Sequence, residues 1–216
     1  MNGINTILFD FDGTIMDTND LIIHSWQHTF RVLEGRERPV DEIVGTLGET
    51  LHHTLGRLLP EVPLEEAVAA YRGYHADNFR DAIKIYPGVK ELLTRLKELG
   101  YALGIVTSRM SGTTKQGLEK YALDELFDVV VTCEDCTKHK PDPEPVRIAL
   151  EKLGKKPEEA LMVGDTLGDI KSARAAGAGS VLVDWALSVS EEERTGADAP
   201  DYIIEKAEDL LEILAG

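Results

Sequence analysis

Six short apolar runs rich in β-forming residues, at 6–9, 102–106, 129–132, 160–163, 180–183 and 202–204, punctuate this chain. Amphipathic helical patterns separate most of them. In 89–99, Val89, Leu92, Leu93 and Leu96 form one stripe and Gly100 supplies a stop. Similar patterns cover 145–153 closed by Gly154, 169–176 closed by Gly177, and 207–214. Strands alternating with helices imply βαβ units and a parallel sheet, hence an α/β fold. Right-handed crossovers then bring every strand's carboxyl end to one edge, where ligands bind in open α/β sheets.

Residues 16–82 break the alternation. Stretches 18–33, 40–59 and 64–79 read as helices, separated by Glu34-Gly35-Arg36 and Pro60-Glu61-Val62-Pro63, and no strand pattern occurs there. The segment reads as a helical insert after the first strand, and the chain returns at Tyr86-Pro87-Gly88. The expected organisation is a core of 1–15 and 83–216 carrying a cap of 16–82, and an insert rooted there is placed to act as a lid. Glu191-Glu192-Glu193 reads as a solvated loop. No internal repeat is present.

At 216 residues the chain has room for one α/β domain and a small insert. Its composition, 43% hydrophobic against 29% charged, is that of a globular protein. No apolar stretch reaches the roughly 18 residues a membrane span requires, and Met1-Asn2-Gly3 lacks the basic start of a signal peptide, so a cytoplasmic protein is expected. A net charge of −16 argues against nucleic-acid and anionic-membrane partners. A small anionic substrate requires local positive charge at its site. Cys133 and Cys136 are spaced Cys-x-x-Cys, with His139 following. A structural zinc site needs four ligands and no second Cys/His cluster supplies the rest, so the pair reads as two small residues at a strand-to-loop junction. His24 and His28 are spaced as a metal-binding pair but read as surface residues.

The strand ends concentrate chemistry. The first run passes into Asp10-Phe11-Asp12-Gly13-Thr14. Along a continuing strand the two carboxylates would share a face, but Gly13 predicts a tight turn. Burying two acids together is costly unless a cation or proton offsets their repulsion. The second strand ends in Thr107-Ser108-Arg109, the third is followed by His139-Lys140-Pro141-Asp142-Pro143, and the fourth runs into Gly164-Asp165-Thr166-Leu167-Gly168-Asp169. Each piece alone has a plain reading: a turn acid, an N-cap pair, an exposed lysine, a glycine turn. All four at the ends of successive strands point instead to one site. Carboxylates with a lysine and hydroxyls suit Mg²⁺ and a phosphoryl group.

As a set, Asp-Phe-Asp-Gly-Thr, Val-Thr-Ser, Lys-Pro-Asp-Pro and Gly-Asp-x-x-x-Asp resemble the four motifs of the haloacid dehalogenase-like hydrolase superfamily, in order and across nearly the whole chain. The resemblance implies a Rossmann-like parallel sheet core, with the Asp10 strand central, and an inserted all-helical cap. It implies that Asp10 is the nucleophile, forming an aspartyl-phosphate, and that Asp12 protonates the leaving group and then activates water. The Asp12 carbonyl would join the Asp10 and Asp165 carboxylates around Mg²⁺. Thr107 would bind the phosphoryl oxygens, helped by the Ser108 amide; Lys140 would balance charge, and Asp169 would act from behind the ligands. An acid at position 12 separates the phosphatases from the dehalogenases, and Gly-Thr after it differs from the Gly-Val of the sugar-phosphate mutases.

Within that superfamily the chain looks most like the inorganic pyrophosphatase branch close to the phosphoglycolate phosphatases. Three stretches carry this: Asp17-Thr18-Asn19-Asp20-Leu21-Ile22-Ile23, Lys140-Pro141-Asp142-Pro143-Glu144-Pro145, and Pro157-Glu158-Glu159-Ala160-Leu161-Met162-Val163-Gly164-Asp165. Thr-Ser-Arg departs from the Thr-Asn-Lys-Pro common in phosphoglycolate phosphatases. The expectation is therefore hydrolysis of pyrophosphate, with phosphoglycolate or another small phosphomonoester as the alternative. A sugar-phosphate mutase and a non-catalytic phospholigand-binding protein stand further off. Arg109 is the candidate core donor for a second phosphate. Cap contacts are expected around Gly45-Thr46-Leu47-Gly48-Glu49 and at His52, with at most one of His52 and His53 facing the cleft.

Overall fold

The structure, a computed structural model, describes residues 3–216; Met1 and Asn2, which entered the leader argument, lie outside the described residues. The elements follow as β1 (Thr6–Phe9), β2 (Met16–Asp17), α1 (Asn19–Glu34), α2 (Val40–Val44), α3 (Leu51–Leu58), α4 (Leu64–Ala82), β3 (Lys84–Ile85), α5 (Val89–Glu98) and β4 (Ala102–Val106). Then come α6 (Ser111–Lys120), β5 (Val129–Val131), α7 (Glu144–Leu153), β6 (Ala160–Gly164), α8 (Leu167–Ala176), β7 (Gly179–Val183), α9 (Glu191–Thr195), β8 (Tyr202–Ile204) and α10 (Asp209–Ala215). Six strands form one parallel sheet in the order β5-β4-β1-β6-β7-β8, with β1 in its interior. All six expected strand runs fall in it.

Alternation along β1 divides the core. Ile7 and Phe9 join the buried side chains of α5 and α10 on one face, while Leu8 meets Val146, Ala149 and Leu150 of α7 and Ala173 of α8 on the other. Both faces are covered, which is why the strands read as unbroken apolar runs. The helices α1 to α4 have an apolar centre of their own, built from Trp26, Phe30, Ile43, Leu55, Leu59, Ala67 and Tyr71. Together these layers make a Rossmann-like sheet core with a helical cap.

Three local expectations are corrected. The stretch 40–59 is not one helix: it breaks between α2 and α3 into a turn where Gly48 adopts φ 87°, a conformation that glycine tolerates and side chains resist. Met16–Asp17 pairs antiparallel with Lys84–Ile85, so the segment 16–82 opens on a strand, too short to leave a periodic signal. Glu191-Glu192-Glu193 opens the short helix α9 rather than a loop, because Ser190 and Glu193 form a reciprocal capping box.

Candidate active site

The parallel order puts the carboxyl ends of β1, β4, β5 and β6 side by side, and the chemistry-bearing loops leave from those ends. β1 stops at Phe9, and Gly13 turns the chain with φ 73°. A Cβ on Gly13 would lie 2.1 Å from the Asp165 carboxylate, so only glycine allows the two loops to meet this closely. The Trp185 indole N–H donates to the Gly13 carbonyl at 2.9 Å and fixes the turn.

Asp10, Asp165 and Asp169 are buried together, each offering a carboxylate oxygen within 4.8 Å of the others. Lys140 is buried among them, 2.9 Å from Asp10 and 2.5 Å from Asp169, and also donates to the Val106 carbonyl at 3.2 Å. The second Asp169 oxygen accepts from the Thr166 hydroxyl at 2.7 Å in a capping box at the start of α8. Burial pushes the Asp10 carboxyl up to about 7 against the pull of Lys140, and Asp169 and Asp12 add to the rise. Burial, then the charges of Asp10 and Asp169, hold Asp165 well above the usual carboxylate range, with Lys140 opposing. For Lys140, burial opposes the charged form, but Asp10 and Asp169 outweigh it and raise the ammonium above its ordinary value.

The Asp12 side chain belongs elsewhere. It accepts from Thr18 at 2.7 Å and pairs with Arg109 at 2.7 Å, facing the cap. Thr107 is buried at the end of β4, where its hydroxyl accepts from the Arg109 amide at 3.1 Å. The Ser108 hydroxyl donates to the Gly48 carbonyl of the cap at 2.9 Å.

Arg109 also crosses to the cap. Its Nη2 lies 2.6 Å from His75 Nε2 on α4, and the guanidinium lies over the Phe79 ring at 4.5 Å. The Arg109 Nε–H is buried without a partner among the described residues. Burial, and then Arg109, push the His75 imidazole down to about 4, so it is neutral at pH 7. Its Nε2 therefore accepts from Arg109. The proton falls on Nδ1, which faces Ser25 Oγ at 3.3 Å, and that hydroxyl donates to the Leu21 carbonyl at 2.6 Å. His75 was not among the residues the sequence singled out. Its signal was a histidine at helical spacing within the stripe Ala67, Tyr71, His75, Phe79.

A cavity of about 290 Å³ lies between the sheet edge and α1, α3 and α4. Asp10, Asp12, Thr107, Ser108, Arg109 and Asp165 line its core side. Thr46, Leu47, Gly48, Glu49 and His52 line the cap side, where cap contacts were expected, and His53 is not among the lining residues. His24 is exposed, His28 stacks on Tyr74 with ring centres 4.6 Å apart, and neither joins a candidate metal group among the described residues. Cys133 and Cys136 are free thiols just after β5; Cys133 borders the cavity, 3.5 Å from the Met110 sulfur.

A capped α/β fold with acids, a lysine and hydroxyls at the carboxyl edge defines a class of hydrolases. The chain matches the haloacid dehalogenase-like hydrolase family over residues 7–183, and it belongs to that family as an enzyme of the phosphatase kind. It is 41% identical over 212 residues to the pyrophosphatase PpaX of Bacillus cereus strain AH820, covering 98% of this chain and 97% of that one. It is 40% identical, over the same shares, to PpaX of Bacillus anthracis strain CDC 684. A solved haloacid dehalogenase-like hydrolase of Streptococcus pneumoniae superposes with a TM-score of 0.86 at 26% identity, covering 99% of this chain and 100% of that one. A structure described as a predicted phosphoglycolate phosphatase of Haemophilus somnus gives a TM-score of 0.88 at 23% identity, with 99% of each chain covered, and shares the fold. No helix among the described residues is long and apolar enough to cross a membrane.

Proposed function

We propose that this enzyme is a Mg²⁺-dependent phosphohydrolase acting through an aspartyl-phosphate, with inorganic pyrophosphate as its substrate. The observation that carries the chemistry is the buried group of Asp10, Asp165 and Asp169 around Lys140. Three carboxylates against one ammonium leave negative charge in a low-dielectric site, and hard oxygen donors suit Mg²⁺. Asp10 and Asp165 would hold the ion with the Asp12 carbonyl. Asp169, whose oxygens already serve Lys140 and Thr166, would keep the lysine in place. When bound, the ion would neutralise the phosphoryl oxygens and the carboxylates that face them.

In this reading the Asp10 carboxylate attacks phosphorus, and the bond to the leaving phosphate oxygen breaks as Asp12 delivers a proton to it. Asp12 then takes a proton from water, which attacks the phosphoryl group and regenerates Asp10. Thr107 and the Ser108 amide bind the transferring group, and Lys140 holds Asp10 in place and reduces the repulsion it meets. Arg109 contacts the substrate as well; its Nε–H, unpaired among the described residues, is a buried cost that a phosphate oxygen would relieve. Residues 16–82 act as the cap over a core of 1–15 and 83–216. Pyrophosphate is favoured over phosphoglycolate because the full-length relatives at 40–41% identity are pyrophosphatases.

The test is a kcat/KM panel with Mg²⁺ on pyrophosphate, phosphoglycolate, sugar phosphates and an aryl phosphate, with acid trapping of ³²P-labelled enzyme. Pyrophosphate should lead, and Asp12→Asn should accumulate label on Asp10. A higher value for phosphoglycolate removes the pyrophosphate reading. Turnover retained in Asp10→Asn removes the covalent mechanism.

A further inference from the structure

Four acids and two arginines line the cavity: Asp10, Asp12, Glu49 and Asp165 against Arg72 and Arg109. Most of these charges are already spoken for. Arg109 is paired with Asp12, so its charge is largely offset where it stands. Glu49, on the cap wall, is held by Arg57 at 2.9 and 3.0 Å and by the Thr54 hydroxyl at 2.7 Å. Arg72 is different. It is exposed on α4, one helical turn before His75, and makes no ion pair or hydrogen bond among the described residues. Its charge is felt at Cys133 and Glu134, but the Glu134 carboxylate already accepts from the Ser111 amide at 2.7 Å.

Hydrolysis of pyrophosphate expels a group that carries its own negative charge. On the core side the leaving group meets Asp12, whose side chain must come near it, in its protonated carboxyl form, to deliver a proton. Lys140 is enclosed between Asp10 and Asp169, on the side of the transferring phosphoryl group. Both core cations share their charge with neighbouring acids, Arg109 with Asp12 and Lys140 with Asp10 and Asp169. An anionic leaving group therefore gains from a further cation on the cap, where a guanidinium matches a phosphate or carboxylate with two parallel hydrogen bonds. We infer that Arg72 is a specificity-determining residue of this enzyme, anchoring leaving groups that bear an anionic phosphate or carboxylate. The inference rests on the phosphohydrolase reading but not on pyrophosphate being the best substrate.

The experiment compares wild type, Arg72→Gln and Arg72→Lys on pyrophosphate, phosphoglycolate and an aryl phosphate, whose leaving group has no anionic arm. The ratio of kcat/KM for pyrophosphate to that for the aryl phosphate should fall ten- to hundredfold in Arg72→Gln, the range for a lost charge-assisted contact. Arg72→Lys should recover part of the ratio. Arg72 is exposed, so circular dichroism should show both variants folded. In the Asp10→Asn background, calorimetry should show pyrophosphate binding weakened by Arg72→Gln more than orthophosphate binding. Equal losses on all substrates, or an unchanged ratio, overturn the assignment. If wild type prefers phosphoglycolate, the pyrophosphate reading falls, and Arg72 is judged by the phosphoglycolate-to-aryl ratio. If it cleaves only the aryl ester, both fall.

Discussion

Replacing Asp10 by Asn should inactivate the enzyme and, in the absence of metal at alkaline pH, stabilise it. A carboxyl that titrates at about 7 in the fold, against 3.8 ordinarily, has its ionised form disfavoured by about 4 kcal/mol. The sign follows from proton counting. Between these values the native state holds a proton that the unfolded chain has released, so stability falls as pH rises through the interval and the loss is complete above pH 7. Asn removes this dependence. It also has one oxygen where Asp10 uses two, for the Phe11 amide at 2.6 Å and Lys140 at 2.9 Å, and the lost acceptor costs about 1–2 kcal/mol. The net expected gain at pH 8 is roughly 2–3 kcal/mol, or about 5–10 °C in Tm for a chain of this size, shrinking to near zero by pH 5. The assay is thermal unfolding in EDTA from pH 5 to pH 8, wild type beside variant. A Tm difference that does not grow with pH would refute the claim that Asp10 is a strained, buried anion.

Two other outcomes follow from the same geometry. At pH 8, MgCl₂ at about a hundred times its Kd should raise the wild-type Tm by roughly 5–10 °C, and EDTA should reverse this; Asp165→Asn should show little of the shift, and an equal shift would place the ion elsewhere. Gly13→Ala puts a methyl group on the Asp165 carboxylate in a backbone conformation with φ 73°, so kcat/KM should drop about a hundredfold or more, and near-normal kinetics would show that the loop is not held as described.

The sheet was legible because buried parallel strands write themselves as short apolar runs, and 6–9, 102–106 and 202–204 coincide with β1, β4 and β8. Where the reading failed, a local signal was present but outweighed. Gly45 and Gly48 mark the break inside 40–59, and Ser190 with Glu193 spells the capping box of α9. Chain order alone brought Asp10, Thr107, Lys140 and Asp165 to one edge. The cap side of the site was less readable. His75 and Arg72 owe their significance to which face of α4 meets the cavity, which depends on packing against α1 and α3 rather than on spacing along the helix.

The tripeptide after β4 joins the halves of this problem. Thr107 belongs to the core, Ser108 reaches the Gly48 carbonyl, and Arg109 spans from Asp12 to His75. Two of these three side chains thus hold the cap, and the third lines the same cavity as Asp10. A ligand that competes for Arg109 acts at once on the Asp12 carboxylate and on a cap contact. The coupling rests on a neutral imidazole: a protonated His75 would present a second cation to Arg109 and lose the lone pair that accepts from it. Burial, which keeps His75 uncharged down to about pH 4, is therefore what allows an arginine to stand between an acid of the core and a histidine of the cap.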